Sequence, residues 1–300
     1  MIYIDSLTLA GAEDEATFFF GQRRKCFDTY YPFQIFPRKE LERVDFSDIT
    51  ILYGGNGSGK STFLNVLAGK LDADRDTVYN RSNFFEDYLE LCELRFEDKS
   101  FTDKKMLTSD AVFDNMLDIR NLNQGIDIKR EEKFEDYFRL KEMNDYNAGS
   151  NSRLKKEIDE IRRDPLGNID KIRLRNLANS KTQSQFVRRT LPDNVREQSN
   201  GESAFDYFVN KIDKDGIYIL DEPENSLSPQ RQLELVKFLE DSVRFFNCQF
   251  VIATHSPFVL SIKGAKIYDL DAVPVDLKHW TELKNVRAYY EFFKAHENEF

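Results

Sequence analysis

The chain reads as an α/β protein: a mixed sheet core flanked by helices, with a helical lobe inserted midway along the sequence. Three observations predict this. A strand pattern over 49–53 runs into a glycine-rich turn and then a helical pattern over 62–71. Two more apolar strands, 216–220 and 249–253, each end in polar residues able to do chemistry. Between these halves the chain turns highly charged and helical, poor in β-branched residues. The organisation expected is a first half-domain over 1–115, an inserted lobe over 116–200 and a second half-domain over 201–300.

Composition sets limits. Three hundred residues are ample for a sizeable core. With 32% charged residues and a net charge of -10, general attraction to nucleic acid is not expected. Cys26, Cys92 and Cys248 lie far apart and match no zinc, redox or disulfide spacing. They read as reduced thiols in a cytoplasmic protein. Asp5, Glu13, Asp14 and Glu15 make the N-terminal stretch unlike a signal peptide, and no apolar run reaches membrane-span length. The expectation is a soluble protein without direct membrane insertion, so that any membrane role needs another chain as anchor.

In chain order, residues 1–10 alternate loosely and predict an opening strand. An acidic turn follows, and the aromatic stretch 26–36 predicts a second strand. Its Tyr30, Tyr31 and Phe33 either stack on a base or pack the sheet. Next comes Gly54-Gly55-Asn56-Gly57-Ser58-Gly59-Lys60-Ser61-Thr62. Glycines there let successive N–H groups turn toward an anion, and the following helix start adds unpaired N–H groups and partial positive charge. In such a loop a lysine at position 60 reaches the β- and γ-phosphates, and the Ser61 hydroxyl serves Mg²⁺. Residues 84–88 predict a short helix. The stretch 105–110 predicts a strand ending in polar residues before a helix with Val112, Phe113, Met116, Leu117 and Ile119 on one face. Asp110 is either a contact for Mg²⁺ or the attacking water, or that helix's N-cap.

Over 121–196 the pattern is helical. Within 153–189 there are eleven Lys/Arg against five Asp/Glu, in a chain that is acidic as a whole. This is either a nucleic-acid or acidic-partner contact or a solvated helix face. Ser199-Asn200-Gly201-Glu202-Ser203 opens a further helix whose start has the small residues and N–H groups that suit a phosphate. The strand 216–220 ends in Asp221-Glu222-Pro223. A carboxylate at such a strand end can hold Mg²⁺, the role of Asp221, and its neighbour Glu222 can deprotonate water. The helix 230–246 leads to the strand 249–253, which delivers His255 to the same sheet end, where it can polarise a phosphate. Short strands and an aromatic helix around Tyr289, Tyr290, Phe292 and Phe293 close the chain.

These motifs in this order resemble the ATP-binding-cassette class of P-loop ATPases, in particular its non-transporter branch. The resemblance covers roughly 1–115 and 197–275. Gly54 to Ser61 matches the class's phosphate loop, Asp221-Glu222 its acidic pair and His255 its switch histidine. Ser199-Asn200-Gly201-Glu202 is similar to a diverged Leu-Ser-Gly-Gly-Gln signature, with Gln198 for the leucine and Asn200 for a glycine. Asn225-Ser226-Leu227-Ser228 resembles the loop that meets the opposite subunit. The class's coupling glutamine is missing near Ser109-Asp110, which leaves Asp110, Gln183 or Gln185 as substitutes. The resemblance implies ATP and Mg²⁺ held by residues 54–62 with Asp221, and Ser199 and Gly201 of a second copy closing over the γ-phosphate. It also implies Glu222 as base, with His255 and Lys60 stabilising charge. The wording Pro-Glu-Asn-Ser-Leu-Ser is similar to AAA-family ATPases of genome maintenance and anti-phage defence. That implies an ATP-driven dimerising switch or clamp working with a nuclease-like effector or with nucleic acid. The alternatives are the nucleotide-binding subunit of a membrane transporter and, last, a small-molecule kinase.

Overall fold

Five-residue runs such as Ile-Thr-Ile-Leu-Tyr and Gln-Phe-Val-Ile-Ala are buried at every position, as strands covered on both faces must be. They form the centre of the protein in this computed structural model, which describes residues 2–24, 27, 29–142, 163–164, 168–191, 200–225 and 227–300. The chain divides into two compact units, Met1–Asp114 with Gln198–Phe300, and Asn115–Glu197.

In chain order the first unit opens with β1 (Ile4–Thr8), α1 (Ala12–Gly21), β2 (Arg43–Asp45), β3 (Ile49–Tyr53) and α2 (Lys60–Leu71). It continues with β4 (Asp74–Arg75), α3 (Phe85–Leu91), β5 (Glu93–Phe96) and β6 (Asp103–Thr108). The long helix α4 (Ser109–Glu142) begins here and carries the chain into the second unit, where α5 (Ile169–Ser180) and α6 (Gln183–Thr190) follow. The first unit resumes with α7 (Asn200–Lys211), β7 (Gly216–Asp221), α8 (Pro229–Phe246), β8 (Gln249–Ala253), α9 (Pro257–Leu260), β9 (Lys266–Asp269), β10 (Asp276–Leu277) and α10 (Lys284–Ala295).

Seven strands make the main sheet in the order β10-β9-β3-β8-β7-β6-β4, parallel except for β10. A three-stranded antiparallel sheet, β2-β1-β5, lies apart from it. The chain is thus α/β with a mixed sheet and flanking helices. Gln249 stitches the two sheets together. Its Oε1 accepts the N–H groups of Tyr3 and Ile4, and its Nε2 donates to the carbonyls of Ile4 and Ser47. A buried amide with its bonding capacity filled is cheap to keep and costly to truncate. Helix α2 packs Phe63, Leu64, Val66 and Leu67 into the core between the sheets. In the second unit Tyr137, Leu140, Ala178, Phe186 and Val187 make a separate small core.

Two expectations need correction. The aromatic stretch before β2 is not a strand. Its described residues form turns and a 3₁₀ turn, Pro37–Lys39, because Pro32 and Pro37 remove ladder donors and fix φ. Its rings pack inward all the same: Phe33 stacks on Phe18 at 4.5 Å and Tyr30 on Phe84 at 4.7 Å. The acidic turn is instead the first turn of α1, where Glu13, Asp14 and Glu15 favour a helix N-terminus and Asp14 accepts the Gly11 N–H. Cys26 and the segments 143–162, 165–167 and 192–199 lie outside the described residues, and with them part of the basic stretch and Ser199.

Candidate active site

Register places the site. Leu52 pairs with Ala253, Ala253 with Asp221, and Asp221 with Thr108. The loops leaving β3, β8, β7 and β6 therefore start side by side at the C-terminal edge of the parallel sheet, where open α/β sheets bind ligands.

The loop after β3 is built for an anion. Gly57 and Gly59 take φ of 78° and 95°, and a Cβ on Gly54 would stand 2.5 Å from the Ser58 hydroxyl. Helix α2 starts without a side-chain cap, leaving its first amides for a ligand. The Ser58 hydroxyl is buried and has no partner among the described residues, a polar atom that a phosphate oxygen would satisfy. Lys60 is 5% exposed, and its Nζ donates to the carbonyls of Gly54 (2.7 Å) and Gly55 (3.2 Å). It also stands 3.6 Å from Glu222 Oε1. Behind the loop, the Gly55 N–H donates to both oxygens of Asp271.

The Ser61 hydroxyl donates to Asp221 Oδ1 at 3.2 Å. Burial, more than any neighbour, pushes the Asp221 carboxyl up to about 6 despite that bond. Ionised Asp221 thus destabilises the fold unless a cation offsets its charge. A raised acid pKa means that the folded state gains stability as pH falls through about 6. Nucleotide-free Asp221→Asn should accordingly melt above the parent at pH 8, by roughly 2–3 kcal/mol, and by about half as much at pH 5, the gap closing only below about pH 4. Thermal melts at the two pH values check this; a gap that does not narrow between pH 8 and pH 5 rejects the assignment.

Glu222 follows the strand in the left-handed region, φ 47°, held by its N–H to the Ala253 carbonyl and by the Asn225 N–H on its own carbonyl. The Asn225 side chain returns to donate to Glu222 Oε2 at 2.9 Å. Opposite Glu222, His255 Nδ1 lies 3.8 Å from Glu222 Oε1 and 3.4 Å from Glu224 Oε1.

Ser61, Asp221, Glu222, Ser109, Asp110 and Asn225 share the wall of a cavity of about 350 Å³. Asp110 is not the N-cap of α4. That role belongs to Thr108, whose Oγ1 accepts the Ala111 N–H, because a cap must stand before the first helical turn. Among the described residues no group of three acidic, histidine or cysteine side chains is assembled as a metal cage. A cation here would rest on Ser61, Asp221 and substrate oxygens. Gly201 sits in the first turn of α7, while Gln183 and Gln185 lie on α6 in the other unit. Three contributors escaped the sequence reading: Glu224 beneath the histidine loop, Asp271 behind the phosphate loop, and the Asn225 side chain on Glu222. For Asn225 a signal existed, since the turn forced by Pro223 returns a residue three positions on to the strand end.

A family model described as ABC transporter matches residues 43–225, more than half of the chain. The chain belongs to this ATP-binding-cassette family. A second model, described as AAA ATPase domain, matches residues 200–260. Among curated relatives, the branched-chain amino acid transport ATP-binding protein LivG of Methanocaldococcus jannaschii is 49% identical over 45 residues, 14% of this chain and 18% of LivG. The hemin import ATP-binding protein HrtA of Staphylococcus haemolyticus is 38% identical over 66 residues, 20% of this chain and 30% of HrtA. The chain thus spans less than a third of the length of either relative. A solved nucleotide-free ATP-binding cassette from an ABC transporter aligns with a TM-score of 0.38 at 14% identity, covering 96% of each chain. Among the described residues no helix is long and apolar enough to cross a membrane.

Proposed function

We propose that this cassette is an ATP-hydrolysing switch. It binds ATP between two copies of itself and transmits their closure to an effector protein, nuclease-like in kind, or to nucleic acid, in DNA maintenance or anti-phage defence. The observation that carries the hydrolytic part is the meeting of Lys60, Ser61, Asp221, Glu222 and His255 at neighbouring strand ends. Residues 54–62 cradle the triphosphate. Mg²⁺, resting on Ser61 and Asp221 with Asp110 on the same cavity wall, would neutralise phosphate oxygens. Glu222 takes a proton from the water that attacks the γ-phosphorus, and ADP leaves. Lys60 and His255 stabilise the charge that builds on the transferred group. Ser199 and Gly201 of a second copy, head to tail, complete the site.

The switch reading is supported by the basic stretch 153–189 and by the absence of a glutamine at the start of α4. The transporter-subunit reading is favoured by one observation, that both short curated matches are transport ATP-binding proteins. Hydrolysis measured with and without duplex DNA separates them. The switch reading expects severalfold stimulation that fades as salt rises, the mark of phosphate contacts. An unmoved rate, with a multi-span permease co-purifying with the Glu222→Gln variant, reinstates the transporter.

A further inference from the structure

Glu224 is a carboxylate that the hydrolytic scheme leaves unused. It is 6% exposed. Its Oε1 accepts three donors from one short segment: the Thr254 hydroxyl at 2.6 Å, the His255 N–H at 2.9 Å and the Ser256 N–H at 3.2 Å. Its Oε2 is buried and has no hydrogen-bond partner among the described residues. Burying a carboxylate is expensive unless it is well hydrogen-bonded. The segment so gripped is the one that carries His255, and the ring Nδ1 lies 3.4 Å from the same Oε1. Asn285, at the start of α10, holds the His255 carbonyl from the other side at 2.5 Å.

Both carboxylates near the ring, those of Glu222 and Glu224, face Nδ1. Which imidazole nitrogen carries the proton is set by the partner of the other. We propose that Glu224 is a positioning residue for the ATPase reaction: it fixes the backbone of the histidine loop and draws the proton of His255 to Nδ1, so that Nε2 is the nitrogen presented to substrate. Glu222, two residues away and with Asn225 on its other oxygen, keeps the separate task of handling water. The dipeptide after Pro223 thus supplies one support for each of the two groups: Glu224 for the histidine and Asn225 for the base. This rests on the hydrolytic reading above.

The experiment compares Glu224→Gln, Glu224→Ala, His255→Ala and the Glu224→Gln/His255→Ala pair with the parent. Glu224→Gln keeps an acceptor for the loop and loses the charge, so turnover should fall about tenfold with the KM for ATP unchanged. Glu224→Ala also frees the loop and should fall about a hundredfold. The double variant should be no slower than His255→Ala alone, since Glu224 acts through that ring. Losses that multiply in the double variant, or a raised KM as the main effect, overturn the proposal. If Glu224→Ala does not fold, the Gln series carries the test. Nitrogen-15 NMR of the His255 ring reads the tautomer without any turnover: Glu224→Gln should shift population away from Nδ1–H, and an unchanged ring spectrum also overturns the proposal. A parent that fails to hydrolyse ATP but shows this tautomer shift leaves Glu224 in place and removes the hydrolytic reading instead.

Discussion

Glu222→Gln is expected to bind ATP at least as well as the parent and to hydrolyse it at least a hundredfold more slowly. The substitution is nearly isosteric, and its amide oxygen still accepts the Asn225 side chain that now bonds Glu222 Oε2. What disappears is the proton acceptor, and losing a positioned general base costs on the order of 10²–10⁴ in rate. Binding is spared for a second reason. Glu222 lies 3.6 Å from Lys60 and would compete with phosphate for it; an amide competes less. With ATP bound and unspent, the two-copy state should accumulate. Single-turnover hydrolysis together with size exclusion in ATP measures both effects. Parent-like turnover removes Glu222 from the chemistry, and slow turnover without dimer accumulation removes the head-to-tail closure.

How much of this was legible beforehand divides along a physical line. Strands buried on both faces announce themselves as apolar runs, and residues 49–53, 216–220 and 249–253 were readable with their polar ends. The phosphate loop was readable because glycine spacing is a backbone requirement, independent of the rest of the fold. The shortest strands of the first half were not. β2, β4 and β5 have three, two and four residues, and only their partners make them strands. The stretch around Tyr30 to Phe36 misled because aromatics favour sheets and buried turns alike, and Pro32 within it and Pro37 just after it outweigh the rings. Long-range supports were invisible for another reason. Asp271 reaches Gly55 across more than two hundred positions, and Glu224 reaches its three donors through a strand pairing that no local pattern encodes. Residues that act on substrate follow local rules, whereas those that hold them in place follow tertiary ones.

Lys60→Ala tests the foundation. Lys60 is the cation at the centre of the loop, and a triphosphate would exchange the carbonyls of Gly54 and Gly55 for charged oxygens. Charge-assisted hydrogen bonds contribute about 1.5–3 kcal/mol each, so losing two should weaken ATP binding on the order of a hundred- to ten-thousandfold. The variant should also strand Glu222 beside two unpaired carbonyls, which threatens the fold in proportion to their burial. Lys60→Met separates the effects, because it keeps the stem that fills the space beneath the loop and loses only the charge. Calorimetric titration with ATP and with ADP, alongside thermal melts, distinguishes them. If both variants melt near the parent and bind neither nucleotide, the loop is the triphosphate site. If Lys60→Met keeps parent affinity, the charge is not what holds the phosphates. The glycine-rich turn would then be a strand–helix connection, and the convergence of Asp221, Glu222 and His255 would need a different substrate.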